Sequence, residues 1–521
     1  MSRRQSDGLR LASHRAAGLL LLYLACGCSL SAAEPETVYQ HGVVAADHPL
    51  ASAAGVEMLQ RGGNVVDAAV ATSFALSVVR PESCGIGGGG FMVIWNAEAT
   101  TAIALDYRER APLLAHARMF LPPSPDSDAD PPDSRHGGLA AAIPGNVAGL
   151  CYALEHYGSL DLPTVLAPAI RYATDGFAFD ASGRRNRRST RESLQRLADG
   201  PQRFRTLDKL YLQDADDPES SERFDSPLEH VLQHIAQSGP SGFYKGEVAE
   251  ALLAAVHAQG GVWTREDLNP QHLVVEREPL VITHERDAIL TMPPPSSGGI
   301  ALIEMLNILA ACDAKLDEPR IDHNSVEYVH LLTEASKHAF ADRATYLGDA
   351  DFVAVPVNRL ISPRYAERLA GRIDPLHTQP PETYGRRILP NDGGTSHISV
   401  IDAAGNAVAC TETINTLYGS YVVEPRFGVI LNNEMDDFTA RPGEPNAFGL
   451  IQSELNAVAP GKKPLSSMTP TIFVRDGRAI LAVGASGGPR IISGTTQVLL
   501  NMTQFGLTPE AAVAAPRFHH Q

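Results

Sequence analysis

Cysteine, tryptophan and long apolar runs are scarce in this sequence. Only six of the 521 residues are cysteine and two are tryptophan. Beyond the first 33 residues the cysteines are Cys84, Cys151, Cys312 and Cys410, and their wide spacing indicates neither a dense disulfide framework nor a metal site. The apolar stretch at residues 16–25 is too short to span a membrane. We therefore expect a globular chain without a bound metal or a stable membrane span.

Basic residues are also fewer than acidic residues. Lysine and arginine total 43 against 60 aspartates and glutamates, which gives a net charge of −17. The first 33 residues carry four arginines and one aspartate, so the remainder carries about −20. Because nucleic-acid binding depends on basic surface, this balance argues against a nucleic-acid partner.

The amino terminus has the pattern of a secretory signal. Residues 1–33 combine a region with four arginines, a short apolar region and small residues at 31–33 for cleavage before Glu34. The protein is therefore expected to be exported, either to the periplasm or to the medium. Cys26 or Cys28 leaves lipoprotein anchoring as a weaker alternative.

Periodicity predicts the main elements around the later motifs. Helices are predicted at residues 51–61, 66–79, 302–311 and 326–346, and strands at 91–95 and 102–106. The glycine run at 87–90 lacks the Gly-Lys-Ser/Thr ending of a phosphate loop, so it predicts no nucleotide site. The strongly basic residues 184–205 could form an anion site, although the pattern favours a solvated helix.

Thr395 follows two glycines and begins a strand-like alternation. Glycine lets the backbone adopt strained geometry, in which the hydroxyl can attack the preceding carbonyl. If the Gly394–Thr395 bond breaks, Thr395 gains an α-amine with an unperturbed pKa of about 8. Nucleophile and general base would then lie in one residue.

The residues after Thr395 have the pattern of a β-hairpin. Residues 395–402 and 406–414 flank a three-residue loop that ends in glycine. Pairing symmetric about Ala404 predicts Thr395 opposite Thr413, with Asn415 on the same face. A hydroxyl and an amide would then lie within hydrogen-bond reach of Thr395. Taken alone, an ordinary hairpin with threonine in favoured strand positions explains this segment better.

Long motifs elsewhere change that balance. They occupy residues 48–52, 62–71, 84–92, 105–109, 395–397, 432–438, 464–468 and 487–488. With these motifs the chain, from about His48 to Gln521, resembles the γ-glutamyltranspeptidase family of N-terminal-nucleophile hydrolases. The resemblance implies an α/β fold, a four-layer α-β-β-α sandwich.

The resemblance also implies maturation by self-cleavage. The Gly394–Thr395 bond would break to give a large subunit, residues 34–394, and a small subunit, residues 395–521, which stay associated. Family members usually continue for several dozen residues beyond the motif at 516–521. The sequence is therefore expected to be either a fragment or a shortened member.

Site residues follow from the same motifs. The catalytic residues implied by the resemblance are Thr395, Thr413, Gly487 and Gly488. The substrate-binding residues that it implies are Arg108, Asn415, Glu434, Asp437, Ser466 and Ser467. Thr395 is the expected nucleophile, Thr413 the hydroxyl that tunes it, and the two glycines the expected oxyanion hole.

The chemistry of a γ-glutamyl group agrees with these roles, because its α-carbon carries a carboxylate and an ammonium. Arg108, Ser466 and Ser467 would hold the carboxylate, which matches the planar donor fork of a guanidinium. An ammonium has three donors and no acceptor, and so suits acidic partners. These acceptors would be Asn415, Glu434 and Asp437.

Each residue has a simpler interpretation when taken singly. Arg108 could be a surface ion-pair residue, and the acids of 434–437 a solvated loop. Ser466 and Ser467 could form a turn between prolines, and the glycines a plain loop. Agreement at so many family positions favours the functional interpretation. Residues 438–449 also resemble the loop that covers the site in many bacterial members, with Phe448 as an aromatic gate.

The predicted activity is γ-glutamyl transfer and hydrolysis on glutathione or a related compound, without a cofactor. Water, or an amino acid or peptide, would take the acyl group from Thr395. A related amidase, acting on a cephalosporin side chain or a polyglutamate, is one alternative. Arg108 and Asp437 disfavour it, because together they select a free amino-acid head. A non-catalytic binding protein that remains uncleaved is the other alternative.

Overall fold

The computed structural model describes residues 39–122, 124, 129–215, 223–284, 286–314, 322–380 and 394–521. The predicted signal at 1–33 lies outside the described residues. So do residues 381–393. They include most of residues 376–391, whose proline and glycine content predicts an exposed linker before Thr395.

Ten strands within these described ranges form two antiparallel sheets. The first sheet contains β1 (Gly42–Ala46), β2 (Gly89–Asn96), β3 (Thr101–Tyr107), β4 (Val275–Arg277), β7 (Thr395–Asp402) and β8 (Ala407–Thr413). The second contains β5 (Leu280–His284), β6 (Asp287–Thr291), β9 (Thr471–Arg475) and β10 (Arg478–Val483). Their orders are β1-β7-β8-β2-β3-β4 and β10-β9-β6-β5.

Helices cover the outer faces of both sheets. In chain order the longer ones are α1 (Pro49–Gln60), α2 (Val65–Val79), α3 (Asn146–Tyr157), α4 (Leu162–Asp175), α5 (Ala181–Arg196), α6 (Glu229–Ser238), α7 (Gly246–Ala258), α8 (Gly298–Asp313), α9 (Val326–Tyr346), α10 (Pro363–Ala370), α11 (Arg490–Thr503) and α12 (Pro509–Ala514). Shorter α- or π-helical turns are Gly200–Arg203, Arg205–Leu207, Asp208–Leu212, Ser241–Tyr244 and Val357–Leu360. Short 3-10 turns are Glu266–Leu268, Pro270–His272, Glu434–Asp437 and Glu454–Asn456.

The alternation of side chains along β2 shows how the layers stack. Phe91 and Val93 pack against residues of the second sheet, such as Ile472. Met92 and Ile94 point the other way, into a core shared with the first helices. A third core lies between the second sheet and the helices α8 and α9. Two sheets between two helical layers confirm the predicted four-layer sandwich.

Helix α2 is the central element of the first helical layer. Asn64 caps it, and the side chain of Asp67 accepts from the Asn64 backbone N–H at 2.7 Å, which completes a capping box. Every residue from 65 to 79 is buried, as expected for a helix with no polar stripe. The structure confirms the helices predicted at 51–61, 66–79 and 326–346 and both early strands. Their ends agree with the predictions within two residues. The helix predicted at 302–311 is longer at both ends.

The hairpin register is the feature that positions the site. Strand β7 pairs with β8 so that Thr395 lies opposite Thr413 and Val400 opposite Val408, as predicted. Because Ile398 and Val400 face the helices, Thr395 faces the space between the two sheets.

Candidate active site

The hydroxyls of Thr395 and Thr413 converge on one carbonyl. Their Oγ1 atoms are 3.1 Å apart, and each lies 2.8 Å from the carbonyl oxygen of Gly394. The backbone N–H of Asn415 donates to Thr413 Oγ1 at 2.8 Å. Both threonines are almost fully buried, so these hydrogen bonds form away from bulk water.

Asn415 departs from the strand geometry that its predicted position assumed. Its φ of 77° takes the chain away from β8. As a result, its backbone N–H contacts Thr413, while its side-chain Nδ2 donates to the carbonyl of Asn433 at 3.0 Å. The described hydrogen bonds therefore join Asn415 to Thr395 only through Thr413, although the residue lines the same cavity.

A small cavity of about 20 Å³ lies directly beside Thr395. The predicted site residues that line it are Arg108, Thr395, Thr413, Asn415, Glu434, Asp437, Ser466, Ser467 and Gly488. Gly487 is the one predicted site residue that is not among the lining residues. The two sheets supply opposite walls, because Arg108 follows β3 whereas Ser466 and Ser467 precede β9.

Arg108 is buried, with only 1% of its surface exposed. Its Nη2 donates to Asp437 Oδ2 at 2.6 Å, and its Nη1 pairs with Glu434 and, at 3.5 Å, with Glu109. Nε donates to the Pro464 carbonyl at 3.2 Å. The interpretation of Arg108 as a surface residue is therefore wrong, and so is that of a solvated acidic loop.

Burial and crowding of like charges shift the acids of this cluster. Burial raises the pKa of Glu434 well above its ordinary range and the pKa of Asp437 to a lesser extent, although Arg108 opposes both shifts. Burial also raises the pKa of Glu109 to about 7. Burial by itself would lower the pKa of Arg108, but the surrounding carboxylates raise it. The cluster thus keeps a permanent cation beside acids that resist ionisation.

Ser466 and Ser467 are held by a neighbouring segment. The Ser466 carbonyl accepts from the backbone N–H of Ser297 at 2.8 Å and from its hydroxyl at 2.6 Å, while Ser466 N–H donates to the Pro295 carbonyl at 2.9 Å. The hydroxyl of Ser466 also accepts from Met468 N–H at 3.0 Å. Fixed backbone at this wall leaves the two hydroxyls facing the cavity, so a simple turn does not describe the segment.

Gly487 and Gly488 form the bend between β10 and α11. Their φ angles of 103° and 57° lie in the region that favours glycine. A Cβ on Gly488 would lie 2.5 Å from Cδ1 of Phe448, so the phenyl ring rests directly on this backbone. The Ala447 N–H donates to Asp436 at 2.7 Å and Asn446 donates to Asp437 at 3.1 Å. The loop at 438–449, hereafter the covering loop, is thus tied down over the cavity.

Arg343 is a site residue that the sequence interpretation missed. It is fully buried, and it donates to Ser297 Oγ at 3.0 Å, Gln452 Oε1 at 3.3 Å and Ser467 Oγ at 3.5 Å. Burial lowers the pKa of Arg343 to about 10, while nearby Asp437 acts in the opposite direction. The helical spacing could have indicated that Arg343 is buried, because it lies on the same face of α9 as the buried Ser336 and Ala339.

The cysteines, the metal-binding residue types and the apolar helices among the described residues bear on the predictions for disulfides, metal sites and membrane spans. Cys84, Cys151, Cys312 and Cys410 are buried, and none of them forms a disulfide bond with another described residue. Among the described residues, no group of three or more histidine, cysteine or acidic side chains could hold a metal ion. No described helix combines the length and apolarity needed to cross a bilayer.

Comparison with known proteins gives one consistent result. The family model described as Gamma-glutamyltranspeptidase matches residues 51–521. The chain is 40% identical over 486 residues to the glutathione hydrolase proenzyme of Escherichia coli (strain K12), a match that covers 92% of this chain and 81% of that protein. It is 38% identical over 514 residues to the glutathione hydrolase proenzyme of Pseudomonas sp. (strain A14), covering 96% and 86%.

Solved structures agree. Helicobacter pylori gamma-glutamyltranspeptidase superposes with a TM-score of 0.59 at 37% identity, covering 67% of this chain and 97% of that one. The cephalosporin acylase of Bacillus halodurans superposes with a TM-score of 0.78 at 27% identity, covering 94% and 85%. By its family match over residues 51–521 and its relatives, the chain belongs to the γ-glutamyltranspeptidase family.

Proposed function

We propose that this γ-glutamyltransferase cleaves its own Gly394–Thr395 bond and then uses Thr395 as the nucleophile on glutathione and related γ-glutamyl amides. The observation that carries this proposal is the convergence of two buried hydroxyls on the Gly394 carbonyl, each at 2.8 Å. The same nucleophile lies beside a cavity built for a small zwitterion.

The hydrogen bonds around Thr413 suggest how self-cleavage begins. Thr413 can donate to the Gly394 carbonyl while it accepts from Asn415 N–H and from the Thr395 hydroxyl. In that arrangement Thr395 Oγ1 attacks the Gly394 carbonyl carbon and passes its proton to Thr413, which passes its own proton to the carbonyl oxygen. The C–N bond then breaks, the Thr395 amine takes a proton, and an ester remains. Water hydrolyses this ester and leaves the Gly394 carboxylate and a free hydroxyl.

The freed α-amine then serves as the base for catalysis. It removes the proton of Thr395 Oγ1 as that oxygen attacks the γ-carbonyl carbon of the donor. The amide C–N bond breaks, the proton goes to the leaving amine, and a γ-glutamyl ester forms on Thr395. Water or an incoming amine then attacks the ester carbonyl, and the threonine oxygen recovers a proton. No step needs an oxidant, a metal or a cofactor.

Recognition of the γ-glutamyl head rests on the charged cluster. Arg108 pairs with Glu434 and Asp437. A zwitterion can insert its carboxylate at Arg108 and its ammonium at the two acids, so that each buried charge keeps an opposite partner. The hydroxyls of Ser466 and Ser467 would bind the same carboxylate. The acceptor that completes the ammonium site would be the Oδ1 of Asn415.

Backbone donors complete the proposed site. Gly488 lines the cavity with positive φ, and Gly487 precedes it. Their N–H groups can stabilise the oxyanion that forms on the γ-carbonyl. Because Phe448 lies on Gly488, the covering loop must move before a donor enters a space of only about 20 Å³.

Subunit boundaries and export belong to the same proposal. Cleavage at Gly394–Thr395 would separate residues 34–394 from residues 395–521. The six-stranded sheet would hold the two parts together, because β7 pairs with β1 and β8 pairs with β2. The signal pattern at residues 1–33 supports export of the precursor.

The cephalosporin acylase neighbour makes an amidase of that kind the second candidate. The buried Arg108, Glu434 and Asp437 support the γ-glutamyl head instead, since its α-carboxylate and α-ammonium offer an anion to the arginine and a cation to the two acids.

The experiment that tests the proposal is the intact mass of the purified chain together with γ-glutamyl-p-nitroanilide hydrolysis. The expected result is two fragments split before Thr395, with activity that Thr395→Ala abolishes together with the split. Ser396→Ala is the matched control, because the neighbouring hydroxyl faces the helical layer, and it should still split. An uncut wild-type chain without activity would refute the proposal and favour a binding protein.

A further inference from the structure

A second and larger cavity lies on the other side of the covering loop. Its volume is about 520 Å³, within the range of small-molecule sites. Its lining includes Arg135, His136, Ser189, Ser193, Arg196 and Phe448. Phe448 lines this cavity and the catalytic cavity alike, so one aromatic ring separates the two spaces.

The charge of this cavity contrasts with that of the whole chain. Two arginines and a histidine line it, and no carboxylate is among its described lining residues. Asp436 lies 3.6 Å from Arg135 Nε, but its oxygens already accept from Ser134 and Ala447 at 2.6 Å and 2.7 Å. His136 is paired with Asp133 at 2.8 Å. In a protein of net charge −17, such a lining selects for an anionic ligand.

Helix α5 explains the basic stretch that the sequence left undecided. Ser189, Ser193 and Arg196 are spaced by four and three residues, so they share one helical face and line the cavity together. Arg196 also keeps its stem near this face, with Nη2 donating to Ser193 Oγ at 3.3 Å. Other arginines of the helix, such as Arg188, are exposed and lie outside the cavity. Residues 184–196 of the basic stretch thus lie on a helix, and one face of that helix lines the cavity.

The cavity wall connects to the reacting centre. Thr416 and Leu417 directly follow Asn415, and a Cβ on Gly394 would lie 3.5 Å from Leu417. Asn433 joins the two walls, because its Nδ2 donates to Thr416 Oγ1 at 2.9 Å and to the Arg135 carbonyl at 3.0 Å. In the proposed function the catalytic cavity holds the γ-glutamyl side of the amide. The larger cavity, which shares Phe448 with it and contains Leu417 beside Gly394, is then available for the amine side.

We propose that this cavity binds the carboxylate of the amino acid or short peptide that leaves from, or accepts, the γ-glutamyl group. The inference rests on the proposed function and adds the specificity of its amine side. Arg135 and Arg196 supply the cationic donors, and the hydroxyls of Ser189 and Ser193 supply further donors. The volume accommodates a dipeptide, and movement of Phe448 joins it to the catalytic cavity.

A matched pair of donors tests this inference. γ-Glutamylglycine and γ-glutamylglycinamide share the same scissile amide and differ only in a terminal carboxylate or carboxamide. The measured quantity is the ratio of their kcat/KM values, which includes binding of the leaving group. We expect wild type to favour the carboxylate at least tenfold. Arg196→Ala and Arg135→Gln should reduce this ratio at least fivefold, and Arg196→Glu should reduce it further. Arg188→Ala, on the same helix, should retain the wild-type ratio.

The outcomes separate the two proposals. A wild-type ratio near one, or a ratio that Arg196→Glu leaves unchanged, overturns the amine-side site while the γ-glutamyl activity stands. An equal fall in kcat/KM for both γ-glutamyl substrates in the arginine variants indicates a structural effect and also overturns the amine-side site. A correctly cleaved wild-type protein that hydrolyses neither donor overturns the proposed function and this inference together.

Discussion

Replacing Thr413 with valine should slow self-cleavage while leaving the hairpin intact. Valine has nearly the same shape and also favours strands, but it lacks the hydroxyl that lies 2.8 Å from the Gly394 carbonyl. Loss of one donor to a developing oxyanion typically lowers a rate about 100- to 1,000-fold. The Asn415 N–H also loses its acceptor at 2.8 Å, and an unsatisfied buried donor costs about 1–3 kcal/mol of stability.

The assay follows the conversion of precursor into two fragments by intact mass over hours, beside thermal unfolding. Thr413→Ser is the matched control, because it restores the hydroxyl and should process far faster than the valine variant. If Thr413→Val processed within threefold of wild type, the hydroxyl would not polarise the Gly394 carbonyl, and the proposed relay would be refuted. A Thr413→Val variant with the same unfolding temperature as wild type would separately refute the role of Thr413 as hydrogen-bond acceptor for Asn415.

Three further predictions follow from the charged cluster and its surroundings. Gly488→Ala should lower kcat of the cleaved enzyme at least about tenfold, because the new Cβ would meet Phe448 at 2.5 Å; unchanged kcat in steady-state assays would contradict this. Arg343→Met should raise the KM for γ-glutamyl-p-nitroanilide about tenfold or more, since a hydrogen bond from a charged donor contributes about 1.5–3 kcal/mol; an unaltered KM would exclude a role in holding Ser467. Burial raises the pKa of Glu109 to about 7 from an ordinary value of 4.5. The neutral carboxyl therefore adds to the stability of the fold below pH 4.5, and this contribution is lost as the pH rises through 7. Glu109→Gln should therefore unfold at a higher temperature than wild type at pH 8 but not at pH 4.5, and calorimetry that shows no such pH dependence would contradict the shift.

The local elements around the nucleophile could be predicted from short-range patterns. The hairpin register needed only a loop of known length and a period of two, and so Thr395 was correctly set against Thr413. The helix at 326–346 was likewise visible in its periodicity. The residues lining the catalytic cavity were named through family motifs, since no local pattern joins Arg108 to Glu434 across more than 300 positions of the chain.

Tertiary structure decided the environment of those residues. Sequence motifs assigned Arg108 and the acids to opposite ends of a ligand, whereas the folded chain pairs them with each other, because a buried charge needs an opposite partner close to it. Asn415 left the strand through a positive φ that no strand pattern predicts. Arg343 and the basic cavity beside Phe448 arise from long-range packing of α9, α5 and the covering loop. The sequence by itself determined the family and the hairpin, and from them it predicts Thr395 as the nucleophile. Only the fold decided which charges meet, because burial and distance exist only after the layers have packed.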